Sequence, residues 1–427
     1  MSPDPGLAPY FPGPWPAEDG GPRRLQAPGT GAMPGPATVG GIDIASRTEL
    51  MLTMVVTREP GEVFLLKHGL GDGVPSVVDR IDPDSLETVA TSGELAGGPM
   101  WPGSMAAHAN GSLHVIFGNH AHKLSSDLTV EASVTLPRNR PYNGFVVLPD
   151  GTLVTKDFAG SRALAPIAPD EREPCELIAL DPDDLTILDR CILPEPSIAR
   201  LSALEETVYI VGDTSLLRCG WDSVTKKFVP DPEFVATYRT LDGQTYGWDC
   251  VLTLGAAWFL DNGDGTTNFD ASFEGKGIST EPLHLVRVDL ETAHVELTEV
   301  CGLPGGLIAN PPLIDPDRRI AVAYDSGNGH MTAFDIAEDG SLSRRWERKQ
   351  NHAAHLVHLA DRGLVLTGDF DRVKGTEDVV LLDISTGAEV ARADTGGPIQ
   401  STVFPGMGHD GTLYWCSMTT VSRLRLR

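Results

Sequence analysis

The chain has 427 residues, of which 46 are Gly and 33 are Pro, and it is 41% hydrophobic but only 6% aromatic. This composition is typical of short apolar strands separated by many turns. The 59 acidic residues outnumber the 33 basic ones and give a formal net charge of −26, which disfavours nucleic acid and anionic membranes as partners.

The cysteines and the N-terminus give little sign of a special compartment. Six cysteines are scattered without a C-x-x-C pair, so the spacing indicates neither a zinc site nor a redox motif. The N-terminus has no basic segment followed by an apolar one, and no stretch approaches the roughly 18 to 20 apolar residues that span a bilayer. We therefore expect a cytoplasmic protein.

In chain order, the first predicted unit is an arm over residues 1–40. It is rich in Pro and Gly and lacks any strand or helix period, so it either lies on the rest of the protein or is disordered. The second unit, residues 41–427, consists of short apolar runs separated by D-G, N-G and D-P-D turns.

Residues 142–194 contain the clearest copy of a four-strand repeat. Two runs are joined by Pro149-Asp150-Gly151, and a third and fourth are joined across Asp181-Pro182-Asp183. The same order recurs over residues 308–348 and 355–394, with weaker copies near Leu50, Gly103, Ile198 and Trp248. This pattern predicts an all-β propeller of about eight four-stranded blades, with seven possible.

The last copy of the repeat stops after three strands. A closed ring joins its first and last blades, because an open sheet edge promotes aggregation. We therefore expect the missing strand to come from the N-terminal segment around Thr38 to Ala45. The second strand of most copies ends in an aspartate, and a feature repeated in this way favours a structural bond to a backbone amide over catalysis.

Candidate functional residues are those at the start of each first strand, because these strands line the channel of a propeller. The residues at or beside these positions are His108, Asn143, Arg200, Tyr246, Trp248, Asp249, Asn310, His352 and His355. Imidazole and carboxylate groups can move protons near neutral pH, so His355, Asp249 and His352 are the catalytic candidates. Tyr246, Trp248, Arg200 and His108 are the substrate-binding candidates.

Two segments resemble a known family. Asn143-Gly144 through Pro149-Asp150-Gly151-Thr152-Leu153, and Asn310 through Gly329, are similar to the repeats of gluconolactonase and strictosidine-synthase-like propellers. That resemblance implies a divalent cation, Ca²⁺ or a transition metal, with Asn143 or Asn310 and Asp249 as ligands. Glu94 would replace the family's glutamate.

These observations support more than one function. The first hypothesis is a metal-assisted, lactonase-like hydrolase that acts on a small polar molecule in the channel. The second is a non-catalytic propeller that binds a ligand or a protein partner, and the third is a quinone-dependent oxidoreductase-like propeller.

Overall fold

The computed structural model describes residues 7–29 and 33–427. They form eight antiparallel sheets of four strands each, together with four single turns of 3₁₀ helix at Glu18–Gly20, Pro169–Glu171, Thr266–Asn268 and Ala360–Arg362. The prediction of a β-propeller is confirmed, and the number of blades is eight. In the part of the chain that is described, no helix has the length and apolar character needed to cross a bilayer.

The first four blades follow one another along the chain. Blade 1 contains β2 (Leu52–Thr57), β3 (Val63–His68), β4 (Ser76–Ile81) and β5 (Thr88–Thr91). Blade 2 contains β6 (Ser104–Ala107), β7 (Leu113–Phe117), β8 (His120–Leu124) and β9 (Val130–Thr135). Blade 3 contains β10 (Tyr142–Val147), β11 (Leu153–Asp157), β12 (Glu176–Leu180) and β13 (Ile187–Ile192). Blade 4 contains β14 (Ser202–Leu204), β15 (Thr207–Val211), β16 (Ser215–Asp222) and β17 (Lys227–Thr237).

The next three blades repeat this order. Blade 5 contains β18 (Val251–Thr253), β19 (Ala256–Leu260), β20 (His284–Asp289) and β21 (Val295–Glu299). Blade 6 contains β22 (Leu313–Asp315), β23 (Ile320–Asp325), β24 (His330–Ile336) and β25 (Leu342–Lys349). Blade 7 contains β26 (Val357–Leu359), β27 (Leu364–Asp371), β28 (Thr376–Asp383) and β29 (Glu389–Gly397).

Blade 8 closes the ring with a strand from the other end of the sequence. Its first three strands are β30 (Gly406–Met407), β31 (Leu413–Cys416) and β32 (Thr420–Leu426), and its outermost strand is β1 (Ile42–Thr48). β1 pairs antiparallel with β32, from Ile42 opposite Leu426 to Thr48 opposite Thr420. The predicted N-terminal closing strand is therefore present, a few residues later than expected.

The position of each strand in its blade follows from its side-chain pattern. The inner strands β2 and β10 are buried at every residue, since both of their faces pack against neighbouring blades. The outer strands β9 and β13 have no fully buried residue, and about every second residue of β9 is exposed. Inner strands of adjacent blades contact one another and surround the axis.

The repeated aspartates hold loops in place. A backbone N–H donates to Asp157, Asp261, Asp325 and Asp369, from Glu176, His284, Leu307 and Asn351 respectively. Asp213 differs because it pairs with Arg172 at 2.6 Å instead, and burial raises its pKa to about 6. The repeated acid is thus a structural element of most blades where it occurs.

Residues 15–26 of the arm lie inside the lower half of the channel. Trp15, Arg24 and Gln26 are almost completely buried. Backbone N–H groups of five inner strands donate to carbonyls of the arm: Thr57 to Trp15, Ala107 to Pro16, Ala203 to Pro22, Leu252 to Arg23, and His358 to Gln26. The arm thereby pairs backbone N–H groups at the exposed inner edges of the blades. A Pro- and Gly-rich segment without regular secondary structure can adopt the path that these bonds require.

Candidate functional site

A buried cluster of charged residues occupies the middle of the channel. The arm supplies Glu18, Asp19 and Arg24, and the loops that enter the inner strands of blades 4, 5 and 7 supply Arg200, Asp249 and His355. Each of these six residues is at most 5% exposed. Charges buried this deeply require partners, and the cluster supplies most of them internally.

Arg24 is the centre of the hydrogen-bond network. Its Nη1 donates to Asp19 Oδ2 at 2.7 Å and its Nη2 to Glu18 Oε2 at 3.1 Å. Nη1 also lies 3.6 Å from Asp249 Oδ2. Arg200 contacts the same acids, because its Nη1 donates to Glu18 Oε2 at 3.2 Å and its backbone N–H to Asp249 Oδ1 at 2.6 Å.

His355 is the least satisfied member of the cluster. Its Nδ1 lies 2.7 Å from Asp19 Oδ1, and Nε2 has no partner among the described residues. Its ring packs on Phe404 with 3.8 Å between centroids. Donor atoms of Asp19, Asp249 and His355 lie within 4.8 Å of one another, so this trio can hold a metal ion.

The electrostatics of the cluster favour an ionised Asp19. Burial acts to raise the pKa of Asp19, but the charges and hydrogen bonds of His355 and Arg24 outweigh it and lower the pKa. Burial, together with the charges of Asp19 and Asp249, raises the pKa of Tyr324 far above its ordinary value. The cluster contains three carboxyl groups, those of Glu18, Asp19 and Asp249, and two guanidinium groups, those of Arg24 and Arg200.

Above the cluster, the upper mouth of the channel contains a cavity of about 500 Å³. Its walls come from loops that enter inner strands and from loops that join the second and third strands of a blade. Most of the lining is apolar or aromatic, including Met51, Met100, Trp101, Trp248, Phe269, Phe273, Val403 and Phe404. The Trp101 ring stacks on Phe158 with 4.4 Å between ring centroids, and its centroid lies 6.3 Å from that of Trp248. These rings together form a continuous aromatic wall.

A third of the residues that line the cavity are polar, four of them threonines, and the two arginines are already paired. Arg200 donates to the carbonyls of Pro102 and Gly103 at 3.0 and 3.2 Å as well as to Glu18. Its guanidinium carbon lies 4.3 Å from the centre of the Phe404 ring. Arg162 at the rim donates two hydrogen bonds to the Asp72 carboxylate, at 2.5 and 3.3 Å. Neither guanidinium is free to pair with an anionic ligand.

Some predicted site residues lie together and others do not. Arg200, Trp248 and Asn310 line the cavity, whereas Asp249 and His355 lie below it in the charged cluster. Trp248 is 5% exposed, and its Nε1 donates to the Gly263 carbonyl at 3.2 Å. The segments that lead into the inner strands therefore bring three of the predicted residues to the cavity and two to the charged cluster.

The structure places four other candidates elsewhere. His108 lies at the lower end of β6, 3.1 Å from the Gly151 carbonyl. The Tyr246 hydroxyl donates to Asp264 at 2.8 Å and its ring lies under Arg172, outside the cavity. His352 accepts a hydrogen bond from the Gly368 N–H at 3.1 Å, and Glu94 is exposed at the surface. Local hydrogen bonding and packing account for the first three positions.

The two asparagines are oriented by backbone carbonyls. Asn143 Nδ2 donates to the Ile198 carbonyl at 2.9 Å, and its buried Oδ1 has no partner among the described residues. Asn310 Nδ2 donates to the Ala353 carbonyl at 2.5 Å. Their roles as cation ligands remain predictions.

Sequence reasoning missed the contribution of the arm. Glu18, Asp19 and Arg24 supply half of the charged cluster, although the arm was predicted only to lie on the rest of the protein or to be disordered, with no residue in the site. The available signal was the charged segment Glu18-Asp19-Gly-Gly-Pro-Arg23-Arg24 within an otherwise Pro- and Gly-rich stretch. A charged segment that does not recur in the blade repeats is suited to a place that occurs once in a propeller, such as its axis.

Comparison with known proteins shows the fold alone. No family model matches the chain, and no curated protein is significantly similar in sequence. BamB from Moraxella catarrhalis superposes with a TM-score of 0.57 at 12% identity, covering 90% of this chain and 98% of that one.

Two dehydrogenases also share the architecture. A quinohemoprotein alcohol dehydrogenase from Pseudomonas putida HK5 has a TM-score of 0.61 at 11% identity, covering 97% of this chain and 80% of that one. A europium-containing methanol dehydrogenase has a TM-score of 0.60 at 10% identity, covering 96% and 89%. The class defined by these likenesses is the large β-propeller, here with a channel closed from below by its own N-terminal arm.

Proposed function

We propose that this propeller binds a small, mainly apolar molecule in the cavity at its upper mouth. The observation that carries the proposal is a cavity of about 500 Å³ with an aromatic wall, above a channel that the arm fills. Ligand pockets of roughly 300 to 1,000 Å³ with mostly apolar linings are typical of small-molecule sites.

The rim of the cavity supports the same conclusion. Leu50, Leu70 and Leu164 line it and remain 66%, 73% and 65% exposed. Large aliphatic side chains at this exposure, grouped around one opening, are typical of a ligand-binding surface. They give an apolar molecule a continuous path from solvent to the aromatic wall.

Binding of an uncharged dye such as N-phenyl-1-naphthylamine tests the proposal. We expect saturable fluorescence enhancement with one site per chain, and roughly tenfold weaker binding in Trp248→Ala, because a large ring no longer contacts the ligand. Trp346→Ala is the matched control, since Trp346 is partly buried between outer strands and lies outside the cavity. Equal affinities of the two variants, or no saturable binding, contradict the proposal.

A metal-assisted, lactonase-like hydrolase is the second candidate, and the trio of Asp19, Asp249 and His355 is what favours it. Mixed nitrogen and oxygen donors suit a transition-metal dication better than Ca²⁺. However, Phe404 lines the cavity and packs on His355, and neither His355 nor Asp249 lines the cavity. A substrate carbonyl therefore reaches the trio only if Phe404 moves.

Metal content decides between the two candidates. Stoichiometric metal in the purified protein, lost in His355→Gln and accompanied by lactone hydrolysis, supports the hydrolase. A metal-free protein that takes up no Mn²⁺ or Zn²⁺ on dialysis contradicts it. The quinone-dependent alternative rests on fold likeness to the dehydrogenases, and the protein partner and cytoplasmic location remain predictions.

A further inference from the structure

The amide oxygen of Asn310 lines the cavity without a partner and can only accept a hydrogen bond, whereas the threonine hydroxyls of the lining can donate or accept. From this we infer that the ligand is an uncharged aromatic molecule that carries a hydroxyl or N–H donor, such as a phenol or an indole. The inference rests on the proposed function of the cavity and adds the chemical class of its ligand.

Asn310 is the first free acceptor. Its Nδ2 donates to the carbonyls of Ala353 at 2.5 Å and Thr402 at 3.3 Å. Both partners can only accept, so the amide nitrogen must face them and the orientation of the side chain is fixed. Its Oδ1 has no hydrogen-bond partner among the described residues, and the residue lines the cavity.

His68 also lines the cavity and carries a second unpaired acceptor, Nε2, but this atom has no surface open to the cavity. The Nδ1 of His68 lies 2.8 Å from the Gly69 carbonyl, which requires the proton on Nδ1 and leaves a lone pair on Nε2. Nε2 is buried without a partner, and the ring stacks on Phe117 with centroids 5.0 Å apart. Burial lowers the pKa of His68, which keeps the ring neutral and Nε2 an acceptor.

The charged donors of the lining are already used. Arg200 donates to Glu18, Pro102 and Gly103, and Arg162 donates to Asp72 and Met100. A ligand carboxylate would have to displace one of these acceptors. A ligand cation would be placed beside two guanidinium groups in an apolar cavity, which is costly. An uncharged ligand avoids both penalties.

The test compares 2-naphthol with 2-methoxynaphthalene by calorimetry at pH 7. The two molecules share an aromatic ring system, but the methyl ether lacks the donor. We expect 2-naphthol to bind at least about fivefold more tightly, because the amide oxygen of Asn310 stays unpaired with the ether. Equal affinities overturn the inference and leave the proposed function intact, whereas no binding of either molecule overturns both.

Variants identify the acceptor. Asn310→Ala should reduce the preference for 2-naphthol while the ether still binds, whereas His68→Phe, which can keep the stack on Phe117, should leave the preference unchanged. Asn328→Ala is the control, since its Nδ2 also donates to a backbone carbonyl, that of Pro304 at 3.2 Å, outside the cavity. An unchanged preference in Asn310→Ala overturns the assignment.

Discussion

Replacement of Arg24 tests whether the arm is held by its buried charges. Arg24→Ala removes the partner of Glu18 Oε2 and Asp19 Oδ2 at a side chain that is only 2% exposed. Breaking a buried ion pair by removing one partner costs roughly 3 to 5 kcal/mol, because the other charge stays buried and unpaired.

The expected shift in melting temperature follows from chain length. At about 2.1 cal/mol/K per residue, the unfolding entropy of a chain of 427 residues is about 0.9 kcal/mol per degree. The loss of 3 to 5 kcal/mol should therefore lower Tm by about 3 to 6 °C, measured by calorimetry or by circular dichroism near 218 nm.

A surface arginine gives the matched control. Arg344 pairs with Glu347 at 2.7 Å but is 49% exposed, so Arg344→Ala should cost less than about 1 kcal/mol. Adding Asp19→Asn to Arg24→Ala should restore part of the loss, because one unpaired charge is removed. If Arg24→Ala costs no more than Arg344→Ala, the argument from buried charge is refuted.

Two further predictions concern other buried positions. Glu377 accepts hydrogen bonds from Trp415 and Ser401, and burial raises its pKa from 4.5 to about 8. The folded state then binds more protons than the unfolded state between about pH 4.5 and 8, so stability falls as pH rises through that window. Glu377→Gln should flatten this decline in a series of Tm measurements, and a parallel decline in both proteins would contradict the assignment. Gly144→Ala places a methyl group 3.0 Å from Glu18 Oε1 and 3.2 Å from the Arg200 side chain, and we expect a loss of about 1 to 3 kcal/mol in urea unfolding. Gly220→Ala, whose nearest new contact is 3.4 Å, should cost less than about 1 kcal/mol, and equal costs would show that the arm is not tightly packed there.

The parts of the fold that repeat were predictable from the sequence. Apolar runs split by D-G and D-P-D turns recur often enough to indicate blades, and the incomplete last copy indicates an N-terminal closing strand. The same logic placed Asp157 and Asp261 as structural acids rather than catalytic ones. Repetition supplies several copies of one signal, so a weak copy can be read from a strong one.

The parts that occur once were not predictable. The arm has no period, and its contacts join residues far apart in sequence, such as Arg24 and Leu201. Asp249 and His355 were predicted to lie near the axis. Their contact with Asp19, and their position outside the cavity lining, depend on how the arm enters the channel. No local pattern specifies that path, because it is fixed by the shape of the completed ring.

The arm also determines which ligands the cavity can accept. Without Glu18, the Arg200 guanidinium would lie at the base of the cavity with backbone carbonyls and the Phe404 ring as its main contacts, a suitable site for an anion. Glu18 accepts from Arg200 at 3.2 Å and neutralises it. Residues 15–26 of the arm occupy the lower channel, so the proposed ligand would enter the cavity from the upper mouth. The segment with the weakest sequence signal would thus set both the charge preference and the access route of the proposed site.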